Sequence, residues 1–140
     1  MAEFSVSTNA DEVIARLQRF RADLAAIVRP PLERGGLRVE AGMKPYPPPP
    51  PNSRYVRGAP PHSEKLGSRW TSRSISGEGF VGREVGNTAS YAPRVQSAER
   101  QAPIHCGRWQ TDEQVITQEL PAVVSDVRRA LVEAADALDG

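Results

Sequence analysis

The chain has 140 residues, a length that suits one ordinary domain burying roughly two thirds of its unfolded surface. Hydrophobic residues make up only 39%, and thirteen prolines with eleven glycines imply much irregular structure, so part of the fold is expected to be ordered by neighbouring molecules. The net charge of +1 hides a gradient: residues 1–53 carry seven bases against six acids, 54–108 nine against four, and 109–140 two against seven. A basic middle and an acidic end invite complementary contact, within one chain or between adjacent copies.

No apolar run is long enough for a membrane span, and the N-terminus lacks the basic-then-apolar order of a secretion signal, so a soluble protein made in a cytoplasm, with no membrane partner, is expected. Cys106 is the single cysteine and only His62 and His105 accompany it, so neither a disulfide nor a zinc site is expected, and no cofactor is implied. Cys106 reads as a small packed hydrophobe; with His105 beside it, a hydrolase nucleophile is the distant alternative.

Along the chain, Asn9 followed by Glu12 predicts a helix beginning near Ala10. Val13, Leu17, Phe20, Leu24, Ile27 and Val28 then recur at helical spacing. Pro30 and Pro31 are expected to kink or end that helix, with a second piece restarting at Pro31 and carrying Leu32, Val39 and Met43; Gly35, Gly36 and Gly42 weaken the second piece. Tyr46 and the five prolines Pro47, Pro48, Pro49, Pro50 and Pro51 predict a stiff polyproline strut. Ser63 to Gly67 predicts one helical turn capped by Ser63. Residues 70–75 and 80–85 flank Ser76-Gly77-Glu78-Gly79, the pattern of a hairpin with a four-residue loop. In its second arm Val81, Arg83 and Val85 alternate with Phe80, Gly82 and Glu84, so neither face is cleanly apolar. A short ordered piece around Val95 follows, then a possible strand over 104–108. The clearest periodic element is last: Leu120, Val123, Val124, Val127, Leu131, Ala134, Ala135 and Leu138 predict a long helix that begins as early as Thr111, with Asp112 and Glu113 in its first turn and Pro121 restarting or bending it. The fold class expected is α+β, a single domain over 1–140 with N- and C-terminal amphipathic helices packed on a small antiparallel sheet and a long proline-rich loop or arm over 44–62.

Enzyme motifs are scarce. Gly77 to Gly82 spells GxGxxG, but with no buried strand before it and no helix after it a hairpin turn explains the glycines better than a dinucleotide site. The carboxylate pairs Asp11/Glu12 and Asp112/Glu113 sit where helix starts favour acids. Catalysis is therefore not expected. Two features suit binding. The strut with Tyr46, Arg54, Tyr55 and Arg57 can serve as an arm lying on a neighbouring subunit or as a ligand for an SH3-like groove. The basic residues of the middle third, among them Lys65, Arg69, Arg73, Arg83 and Arg94, are candidates for an interface or for loose electrostatic contact with DNA.

Tyr46-Pro47 through Arg54-Tyr55-Val56-Arg57, Lys65-Leu66-Gly67-Ser68-Arg69-Trp70, Val85-Gly86-Asn87 through Tyr91-Ala92-Pro93-Arg94-Val95-Gln96, and Gly107-Arg108-Trp109-Gln110-Thr111 together resemble the tail-completion, head-tail connector or neck proteins of long-tailed bacteriophages and prophages. The chain departs from that pattern after Tyr55-Val56, where Arg57 to Leu66 replaces an Arg-Thr-Gly-Xaa-Leu junction with a longer, stiffer loop. The resemblance implies a structural virion protein at the head-tail junction, a ring of six or twelve copies between the portal-adaptor side and the tail tube around the DNA channel. A tail terminator or minor tail protein is the neighbouring expectation; an adaptor using its polyproline segment is the expectation from another class.

Overall fold

A computed structural model describes residues 9–48 and 65–139. The proline strut beyond Pro48, with Arg54, Tyr55, Arg57, His62 and Ser63, lies outside them. The elements are α1 (Ala10–Met43), α2 (Lys65–Ser68), β1 (Trp70–Gly77), β2 (Phe80–Asn87), α3 (Ala92–Gln96), a 3-10 turn (Pro103–His105) and α4 (Asp112–Asp136). The class is α+β, as expected: two long helices and a two-stranded antiparallel sheet.

The first helix differs most from expectation. It starts at Ala10, but Asn9 caps it with its carbonyl, which accepts from Val13 N at 3.0 Å, and its side chain makes no capping bond. Pro30 and Pro31 neither end nor split it, and 34 residues run as one element. Each proline removes a backbone donor, but α4 lies antiparallel along α1 on both sides of that point and splints it. The register is read from Gly42 against Val115, Arg38 against Glu119, Gly35 against Val123 and Arg16 against Leu138.

The three glycines are contact points. A Cβ on Gly35 would lie 2.6 Å from Val123 Cγ2, one on Gly42 2.8 Å from Val115 Cγ1, and one on Gly36 2.7 Å from Arg83 Cδ. Gly35 and Gly42, two turns apart, let α4 approach; Gly36 does the same for β2. The sequence pattern counted them as helix weakeners; in the fold they set the interaxial spacing.

α4 begins with a capping box: Thr111 Oγ1 accepts from Gln114 N (3.2 Å) and Gln114 Oε1 accepts from Thr111 N (3.0 Å). It runs through Pro121 without a break. Its buried contact is Val115, ahead of the stripe read from sequence, whereas Leu120, Val124 and Ala135 of that stripe are exposed. On α1, Val13 and Leu17 are also exposed, because α4 ends before reaching them.

The hairpin pairs Trp70 with Asn87 through Gly77 with Phe80, so its loop is the two residues Glu78-Gly79 and not four. Gly79 takes φ +79°, a conformation glycine adopts without a Cβ penalty. Gly82 pairs within the ladder, so the GxGxxG string is a turn and a strand. Residues 104–108 form the 3-10 turn and the reverse turn after it, not a strand. Gln101 Nε2 bonds the carbonyls of Val95 (2.8 Å), Trp109 (3.2 Å) and His105 (3.3 Å), which winds this segment around its own side chain.

Among the described residues the core is small: Leu66, Ala92 and Val95 form a cluster flanked by Tyr46, Ala89 and Trp109, and Met43 on α1 and Val115 on α4 are also buried. Among the described residues no helix is long and apolar enough to cross a membrane.

Candidate assembly surface

Of the first sequence segment quoted above only Tyr46 to Pro48 are described, and Tyr46 meets described residues of the other three at this end of the molecule. Gln96, 2% exposed, is their hub: its Oε1 accepts from Trp70 Nε1 (3.1 Å), and its Nε2 donates to the Met43 carbonyl (3.0 Å) and reaches the Gln110 carbonyl (3.4 Å). Asn87 Nδ2 donates to the Leu66 carbonyl (2.9 Å) while its Oδ1 accepts from Ala89 N (2.9 Å). Tyr46 stacks edge-on against Trp109, ring centroids 4.9 Å apart, and its hydroxyl accepts from Gly67 N at 3.2 Å. Amide side chains thus satisfy the loop carbonyls that no ladder reaches, as buried polar groups require. Their periodicity is neither 2 nor 3.6, so pattern reading passes over them.

One face of the hairpin is fastened to α1 by a polar seam. Glu33 accepts from Ser74 and from Arg83, Glu40 accepts from Ser72, Arg83 Nε donates to Ser72 Oγ (2.9 Å), and Lys44 pairs with Glu40 (2.8 Å). The bonds from Ser74 and Arg83 hold the Glu33 carboxyl below the ordinary glutamate value, and those from Lys44 and Ser72 do the same for Glu40. The other face carries Arg73, paired with Glu84 (2.6 Å), and an exposed Phe80.

The candidate interface residues are therefore dispersed. Tyr46 anchors the base of the proline segment in the chain's own core, Pro47 is half-buried and Pro48 exposed. Arg83 is held by Glu33 with its side chain only 17% exposed, and Arg73 is paired. Arg69 and Arg94 are exposed, on the turn before β1 and on α3; Lys65 opens α2, and its side chain lies outside the described set. Among the described residues no ion pair joins the basic middle to the acidic end. Arg38 of α1 takes Glu119 (3.1 Å) and Asp126 (3.6 Å) instead.

Cys106 is exposed, not packed, its thiol directed at the Ala102 carbonyl (3.6 Å), and His105 Nδ1 is buried with no hydrogen-bond partner among the described residues. Among the described residues no group of three His, Cys, Asp or Glu side chains is placed to hold a metal ion.

Between hairpin and α4, floored by α1, lies an open cleft of about 530 Å³ whose apolar lining includes Val39, Met43, Trp70, Val85, Ala92 and Ile116. Leu120 and Val124 follow Ile116 at four-residue steps along α4, all three about half exposed. Neither a family model, nor a curated protein, nor a solved structure matches this chain.

Proposed function

We propose that the chain is a structural subunit of a tailed-phage neck, a ring-forming connector that joins head to tail around the DNA path. The observation that carries an assembly role is the imbalance of its apolar surface. Among the described residues five hydrophobic side chains are buried, while eleven large ones are exposed, from Val13 on α1 to Val132 on α4. A monomer that leaves so much of its helix faces wet gains its missing burial from neighbours. The kind of assembly comes from the sequence resemblance, and the hydrogen bonds of Gln96 support it, because Trp70, Gln96 and Gln110, from three of the resembling segments, meet there. Arg69 and Arg94 are the exposed candidates for facing phosphates; Arg73 and Arg83 act within the subunit.

The test is imaging of particles produced without this protein. Full heads separated from finished tails are the expected products. Tail tubes of uncontrolled length would identify a terminator instead, and normal infectious particles would refute both roles.

A further inference from the structure

We infer that the β1–β2 hairpin is a flap: it lifts from α1 as one unit about the rung that pairs Trp70 with Asn87, while the two long helices stay packed. This is a property of the single chain and holds whether or not copies assemble.

The flap is fixed at one end only. At its base Trp70 Nε1 donates to Gln96 Oε1 (3.1 Å), Asn87 Nδ2 donates to the Leu66 carbonyl (2.9 Å) and Thr88 N donates to the Arg69 carbonyl (3.1 Å). Those bonds tie the first rung to the cluster of Leu66, Ala92 and Val95. Among the described residues α1 is the only element that packs broadly on the hairpin, and no residue of either strand is buried. Strand alternation accounts for this. Between tip and base the side turned to α1 carries Ser72, Ser74 and Ser76 of β1 and Arg83 of β2, with Val81 and Val85 its only aliphatic side chains. An antiparallel sheet with one solvated face ordinarily turns its apolar side to the element beneath; this one turns hydroxyls and a guanidinium.

The hold is therefore ionic. Arg83 is its centre: Nη1 donates to Glu33, Nε donates to Ser72 Oγ (2.9 Å), and the stem lies over Gly36, where a Cβ would stand 2.7 Å from Cδ. Ser74 adds a bond to Glu33, and Glu40 receives Ser72 and Lys44. The Arg83 and Glu33 side chains are 17% and 23% exposed, so salt screens the pair less than a surface pair and protonation is the stronger lever. Both carboxyls lie below the ordinary glutamate value, so closure is favoured above about pH 4.3 and weakens as pH falls through their values in the closed form. The other charges around the seam are engaged or stand apart. Arg29, one turn away on α1, also favours the Glu33 carboxylate. Arg38 is taken by Glu119 and Asp126 of α4, Arg73 pairs with Glu84 on the outer side of the hairpin, and Arg34 is exposed. Glu99, Arg100 and Asp112 line the cleft that Arg83 also lines.

A region with few buried apolar contacts opens before the rest of a fold, and a two-stranded hairpin off its support is marginal in water. Lifting therefore frays the ladder and shows at its amides. It also takes Arg83 and Val85 from the cleft lining and bares Gly36 and Val39 on α1.

Amide hydrogen exchange of the full-length chain at pH 7 and pH 4, corrected for the intrinsic effect of pH, is the test. At pH 7 the paired amides of 71–77 and 80–86 are expected to exchange at least tenfold faster than those of 115–130 in α4. At pH 4 they should gain at least another tenfold while α4 keeps its protection. Glu33→Gln with Glu40→Gln is expected to show the faster hairpin exchange already at pH 7, with little further change in acid. Hairpin amides as protected as those of α4 would overturn the inference, as would all elements losing protection together at pH 4, since the hairpin would then open only by global unfolding. A double variant whose hairpin exchanges like the wild type would sink it too. Gly36→Leu is an independent wedge that displaces the Arg83 stem without changing a charge: fast hairpin exchange at pH 7 with undiminished helical circular dichroism is expected, and unchanged hairpin protection counts against the flap. The wild-type comparison decides even where a variant fails to fold.

Discussion

Glycines 35, 36 and 42 show how one residue type carries opposite meanings. In a helix interior glycine costs up to about 1 kcal/mol against alanine, so replacing Gly35 by alanine would gain that much if space allowed. A Cβ there meets Val123 Cγ2 at 2.6 Å and Cγ1 at 3.2 Å, and overpacking of that kind costs about 1–3 kcal/mol. The clash outweighs the propensity. Gly35→Ala is therefore expected to destabilise by about 1–2 kcal/mol in urea unfolding, and in a Val123→Ala background the penalty should vanish or reverse. An additive double mutant would refute the contact. Gln96, Gln101 and Asn87 were equally illegible in the sequence, because an amide that bonds loop carbonyls leaves no periodic trace. The helix start near Thr111 was legible from Asp112 and Glu113, whereas its capping box with Gln114 was read only from the structure.

At the scale of elements, the hairpin is attached to α1 by ionic and hydroxyl groups more than by apolar packing. Serines at 72 and 74 alternate with Arg73 and gave no hint of a buried face, yet they meet Glu40 and Glu33. A carboxyl whose folded value lies below its unfolded one adds stability that is present above the unfolded value, about 4.3, and is lost as pH falls through the folded value. Both glutamates are of this kind. The thermal midpoint is therefore expected to drop as pH falls from about 5 toward 3, and the double variant Glu33→Gln with Glu40→Gln should be less stable at pH 7 and show a shallower acid decline. An unchanged acid decline in that variant would show that the seam does not contribute.

For the whole molecule, the proposed assembly would link stability to concentration, because faces exposed in the monomer would be buried in the oligomer. Anything that binds only the folded form raises apparent stability by mass action. The thermal midpoint of the wild type is accordingly expected to rise with protein concentration, by about 3–5 °C per tenfold for a small domain. Equal, concentration-independent midpoints would argue that the exposed stripes are ordinary surface.

The sequence by itself determined the element types: the helix start near Ala10, a hairpin with arms containing 70–75 and 80–85, and the long terminal helix all follow from local spacing and turn chemistry, which act over a few residues; the Asn9 side-chain cap and the four-residue hairpin loop did not form. Where elements end and which faces are covered were decided only by tertiary structure. Pro30 and Pro31 interrupt a local hydrogen-bond pattern, and only the presence of α4 along both sides keeps α1 whole. Likewise Val13, Leu17, Leu120 and Val124 belong to apolar stripes that look like core. Whether a stripe is covered depends on where the opposite helix stops and where a cleft opens, and those are long-range facts of register between residues some eighty to a hundred and twenty apart in the chain.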